Sequence, residues 1–146
     1  MSSNALSIFD SKVDKTLNLH SLFHKMCNIY NDNNIHIDSR YCKLLLKHKI
    51  DLKLIQDYIC NVVEKILLTH SKYEIHANLE SLSIFDFDKY QTFIYEMTIV
   101  FRLKFANHLE KCYLYNTSIL FKLIHSFFKR VMSKEDLECI IFVNEE

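Results

Sequence analysis

The chain of 146 residues contains no glycine, no proline and no tryptophan. Glycine and proline average about 7% and 5% of ordinary soluble proteins, so chance alone rarely removes both. Alanine and arginine are also scarce, while Ile, Asn, Lys, Tyr and Phe abound. The scarce residues have GC-rich codons and the abundant ones mostly AT-rich codons. That points to an AT-rich genome, a large cytoplasmic DNA virus being one candidate source. The absence of glycine removes whole classes of chemistry. Phosphate-cradling loops need backbone freedom that no other residue supplies cheaply. A P-loop, a dinucleotide-binding fingerprint and a Gly-x-Ser-x-Gly nucleophile elbow are all excluded. Tight hairpins keep only Asn and Asp for their left-handed positions, which tilts the expectation toward helices joined by Asn, Asp and Ser turns.

Other absences narrow the field further. Net charge is zero and the pI is near 7.1, so no general electrostatic grip on nucleic acid is indicated. No run of about 18 uninterrupted apolar residues is present, so the chain as given is not expected to span a membrane. "MSSNALSIFD" lacks the charged start and apolar stretch of a secretory signal. Cys27, Cys42, Cys60, Cys112 and Cys139 are widely spaced, odd in number and without a C-x-x-C, which fits free thiols in a reduced cytosolic or nuclear setting.

What is present is 49% hydrophobic and 25% charged, enough for one domain over residues 1–146. Helical spacing runs through residues 4 to 32, ending at Leu22, Phe23, Met26, Ile29 and Tyr30 before the turn cluster "NDNN" at 31–34. Asp38 or Ser39 can cap a second helix through Ile50. Asp51 can cap a third with the stripe Leu52, Ile55, Ile59, Val62, Val63, Ile66 and Leu67. A short helix is expected near 76–84, then a long apolar helix from Asp88 to Tyr113, nearly 40 Å at about 1.5 Å per residue. Asn116 or Thr117 can cap a helix reaching Val131, and "SKED" at 133–136 has the spacing of a capping box before a last helix ending at Phe142. The expectation is an all-α fold, with amphipathic helices wrapped round the 88–113 rod.

On these features the chain resembles the poxviral Bcl-2-like family, and within it the mitochondrial apoptosis inhibitors of myxoma and yatapox type. "TSILFKLIHSFFKRVM" (117–132) is similar to a penultimate-helix segment of that family. "NLESLSIFDFDKYQTFIYEMTIVF" (78–101) looks like its passage from helix 4 to helix 5. The resemblance implies a Bcl-2-like bundle of about seven helices and no enzymatic activity. It implies inhibition of host apoptosis by capture of the BH3 helices of Bax-, Bak- and Bim-type proteins in a hydrophobic groove. Its alternative is a Bcl-2-fold adaptor that blocks innate immune or NF-κB signalling. The implied groove walls are Tyr41, Leu44, Leu45, Leu52, Ile55, Ile59, Leu79 and Leu82. Phe93, Ile94, Met97 and Phe101 make the floor, and either Lys89 or Arg102 meets the BH3 aspartate. Residues 86–89 (Asp-Phe-Asp-Lys) stand where cellular members carry Asn-Trp-Gly-Arg. A homodimer is expected, in the host cytoplasm, or on the mitochondrial outer membrane if a C-terminal anchor follows.

Three smaller features have ordinary explanations. His20, His24 and Cys27, and likewise His108 and Cys112, have one-turn spacing that can hold zinc, yet no H-E-x-x-H accompanies them, so neither metal nor cofactor is expected. The basic run "KHKIDLK" at 47–53 suits a solvated helix junction. Glu80, Asp86 and Asp88 suit a solvated turn.

Overall fold

The computed structural model describes residues 9–117 and 120–143. It corrects the all-α expectation, because the core is a five-stranded sheet carrying helices. The first helix, α1 (Leu19–Met26), runs straight into a hairpin, β1 (Cys27–Tyr30) and β2 (Asn34–Asp38). Then follow α2 (Ser39–Lys47), α3 (Leu52–Leu67), β3 (Tyr73–Asn78), α4 (Ile84–Lys89) and α5 (Gln91–Lys104). A 3-10 turn at Ala106–His108 leads into β4 (Leu109–Tyr115), and α6 (Phe121–Val131), α7 (Lys134–Leu137) and β5 (Ile140–Phe142) complete the described chain.

The strands lie in sequence order, β1 antiparallel to β2 and every later neighbour parallel. Parallel neighbours need a crossover, and crossovers are almost always right-handed. Three of them taken in the same direction put their helices on one face. Register aligns Ile35, Ile75, Cys112 and Ile140 in one row, and Ile37, Ala77, Leu114 and Phe142 in another. These side chains face the helices and join one core with Leu22, Met26, Leu45, Ile55, Val63, Ile124 and Phe127.

The opposite face carries the alternate residues: Asn34, His36 and Asp38 on β2, Glu74, His76 and Asn78 on β3, Lys111, Tyr113 and Tyr115 on β4. It is polar and aromatic, and residues 9–16 cross one corner of it. Phe9 packs 5.4 Å from the His36 ring and 5.6 Å from Tyr115, centroid to centroid. Arg40 holds this segment by donating to the carbonyls of Asp10 (2.6 Å) and Ser11 (3.4 Å). Its guanidinium forks onto Asp38 through Nε at 3.0 Å and Nη2 at 2.8 Å, both side chains being buried.

The expected 88–113 rod is the largest correction. It is broken at Tyr90, where φ −103° and ψ 19° end α4, and again at Phe105, after which the chain turns into a strand. No residue of α5 is fully buried, so the helix lies on the outside rather than along a central axis. The expected helices over 4–32, 76–84 and 137–142 give way to strands at 27–30, 73–78 and 140–142. Helix propensity loses to pairing here: each segment is short, rich in Ile, Tyr or Phe, and satisfies its backbone groups on a neighbouring strand.

Without glycine, five of the described residues take positive φ: Asn31, Asp32, Lys49, Ser81 and Asn116. Asn31 and Asp32 make the hairpin turn with the residue types that tolerate that region best. Lys49 sits at the end of α2, where Ile50 N–H donates to Leu45 O and Lys49 N–H to Leu46 O. That is a Schellman ending with lysine in the position glycine usually takes.

Candidate functional site

Two features of the fold offer a site: the polar sheet face and the space between the apolar face and α5. On the polar face, His76 is held on both ring nitrogens, Nδ1 by Tyr115 Oη at 2.7 Å and Nε2 by Asn34 Oδ1 at 3.2 Å. Asn34 Oδ1 can only accept, so Nε2 carries the proton and the Tyr115 hydroxyl donates to Nδ1. His36 stacks on Tyr30 at 4.3 Å, and His76 on Tyr113 at 4.7 Å. Burial lowers the pKa of His36 to about 4 and also lowers that of His76. Both rings are therefore neutral near pH 7. Next to them Asp10 is held below the usual carboxylate range, chiefly by its hydrogen bond to Lys25 at 3.0 Å. It also accepts from the Tyr41 hydroxyl at 3.0 Å. This is a network whose groups are spent on each other, which suits holding the 9–16 segment rather than taking a ligand.

The apolar side differs. Between the sheet and α5 lies a cavity of about 250 Å³. Its floor is Ile37, Tyr73, Ile75, Ala77 and Cys112 from the strands, and its roof is Phe93, Ile94, Met97, Thr98 and Phe101 from α5. Ala106, Leu109, Phe128, Met132 and Ile140 close the sides. The cavity exists because α5 stands off the sheet. Its neighbours α4 and α6 are anchored by Phe87 and Phe127, both buried and edge-to-face at 5.6 Å. The helix is tied at its ends, by Tyr90 N–H to Asp86 O at one and by the 3-10 turn at the other.

Polar atoms at this cavity are few and stand at its rim. Arg102 is exposed, and its Nη1 donates to Val131 O at 3.0 Å, bridging α5 to the C-terminal end of α6. A cation suits that end of a helix. Asp136 is also at the rim. The Thr98 hydroxyl donates to Ile94 O at 2.8 Å within its own helix. At the inner end the Tyr73 hydroxyl reaches Phe105 O at 3.4 Å, and burial keeps that phenol protonated.

Of the residues expected to form a groove, Phe93, Ile94, Met97, Phe101 and Arg102 meet at this cavity. Leu52 and Leu82 line a smaller one beside α2. Tyr41, Leu45, Ile55 and Ile59 are buried core, and Leu44 and Leu79 pack against it half-buried. Lys89 lies over the Tyr90 ring at 5.3 Å. Of the floor residues, Ala77 and Cys112 fall in segments expected to be helical, and Ile37, Tyr73 and Ile75 in segments with no expected element. Their signal was a period of two in "NIHID" and "YEIHAN". The zinc spacings do not assemble either. His20 and His24 are exposed on α1 while Cys27 is buried on β1, and no metal-holding group occurs among the described residues.

No helix among the described residues is long and apolar enough to cross a membrane. No family model matches the chain, and no curated protein or solved structure matches it.

Proposed function

We propose that the protein is a binding protein, not an enzyme, and that it holds a small apolar molecule of lipid type between the sheet and α5. The observation that carries this is the cavity itself. Left without a ligand, this chamber of about 250 Å³, open at its rim, keeps an almost wholly apolar wall against water. Water is a poor filler, because its hydrogen bonds would find few partners on those walls. A hydrocarbon fills it at a gain of about 0.8 kcal/mol per buried methylene, so eight methylenes supply roughly 6 kcal/mol before ordering costs. An apolar chamber with a few polar groups at its rim is the ordinary form of such sites. Arg102 and Asp136 at that rim would face the polar end of the ligand.

The test is displacement of a fluorescent fatty acid, together with native mass spectrometry of the purified protein for retained lipid. Met97→Trp fills the roof of the cavity and is expected to weaken binding at least tenfold while leaving the melting temperature equal or higher. Failure of every apolar probe to bind below about 100 μM, or equal binding by Met97→Trp, would refute the proposal.

A BH3-type helix is the second reading. It is favoured by one observation, that Phe93, Ile94, Met97, Phe101 and Arg102 share a cavity. Its test is titration with labelled Bim- and Bax-type BH3 peptides, where binding tighter than about 1 μM supports it and its absence removes it. No observation of the geometry favours the signalling-adaptor alternative.

A further inference from the structure

A second, smaller cavity of about 80 Å³ lies beyond the N-terminal end of the first. Cys42 and Leu46 of α2, together with Leu52 and Leu82, give it apolar walls, and Lys43 and Asp86 pair across its edge at 3.0 Å. Phe93 and Ile94 of α5 line both cavities. They are therefore the wall between them, and both are half-buried rather than locked in the core. From Arg102 at the open rim to Phe93 is nine residues of one helix, about 13 Å along its axis.

This placement bears on what the main cavity would hold, and so rests on the function proposed above. We infer that the ligand is a single extended hydrocarbon chain lying along α5, with its polar end at Arg102 and its tip stopped by Phe93. Phe93 is thus a specificity-determining residue that measures chain length. A zigzag chain with C–C bonds of ~1.5 Å spans 13 Å in roughly ten carbons. The second cavity has room for roughly three more groups of about 30 Å³ each, and it becomes reachable when the phenyl ring is removed.

The experiment measures affinity for straight-chain fatty acids of 8 to 18 carbons by displacement of a fluorescent probe. Wild-type affinity should rise about fourfold per added methylene and stop rising near ten carbons. In Phe93→Ala the rise should continue for three or four more carbons. Adding Leu82→Trp to Phe93→Ala should refill the second cavity and return the break to its wild-type length. Phe93→Leu, a milder change, should move the break by one or two carbons and guards against a folding defect in the alanine variant. A break that stays at one length in both Phe93 variants overturns the partition while leaving the binding function intact. Absence of binding by every acid in every variant overturns the binding function itself.

Discussion

Arg40→Met is the substitution whose consequence can be worked furthest. The Arg40 guanidinium meets both oxygens of Asp38, and also accepts the task of pinning the 9–16 segment through the carbonyls of Asp10 and Ser11. Arg40 and Asp38 side chains are only 8% and 4% exposed, so solvent does little to screen the pair. Removing one partner leaves the Asp38 carboxylate in the interior with the Arg40 backbone N–H as its remaining donor. The expected loss is about 3–5 kcal/mol, or roughly 10 °C in melting temperature for a domain of this size. Arg40→Met with Asp38→Asn removes the stranded charge and keeps a residue able to cap α2, since Asn caps as well as Asp. The double variant loses the bonds to the two carbonyls and the long, solvent-side pair with Glu80 at 3.9 Å, together about 1–2 kcal/mol. Urea unfolding of the wild type and both variants, followed by circular dichroism and tyrosine fluorescence, measures the three values. A loss below about 1 kcal/mol in the single variant, or a double variant no more stable than the single, refutes the argument that this pair is a desolvated anchor.

Three further outcomes are expected. His36 has its pKa lowered from 6.5 to about 4 by burial and the neighbouring His76, so the folded state resists its protonation. Stability is therefore complete above pH 6.5 and falls as the pH drops toward 4, by about 3 kcal/mol; His36→Phe should show a smaller fall between pH 7 and 4.5, and an equal fall sinks the assignment. Lys49 pays for its left-handed backbone at φ 61°, so Lys49→Gly should raise stability by about 1 kcal/mol in urea, whereas a loss would contradict the strain reading. Burial drives the thiols of Cys27 and Cys112 up, Cys112 to about 12, so neither should react with a thiol reagent in the folded protein at pH 7, and reaction of either within minutes would show that the sheet opens there.

The starts of α2, α3 and α7 are legible in the sequence. Asp38 accepts from Arg40 N–H and Asp51 from Lys53 N–H, as capping residues should. Ser133 accepts from Asp136 N–H. The reciprocal capping box, however, formed at Ser83 and Asp86, in a stretch where only a loose short helix was expected. The start expected at Asn116 or Thr117 differs from the observed one: α6 begins at Phe121 with Leu120 in the N-cap position. Among the cavity residues, Phe93, Ile94, Met97 and Phe101 are expected from the sequence as the groove floor on a central core helix, whereas on α5 they form the roof over a sheet.

Composition and local spacing determined that phosphate-loop chemistry was closed to this chain, that Asn and Asp would make its left-handed hairpin turn, and where α2 and α3 begin. Those are consequences of neighbouring residues, and neighbours are visible in a sequence. Which apolar segments became strands, and that α5 would stand off a sheet over an apolar chamber, was decided only in three dimensions. A strand of three to seven residues draws its stability from hydrogen bonds to partners that the chain reaches some thirty residues later, so the period of two in so short a segment is a weak local signal and the pairing that decides it lies elsewhere in the chain.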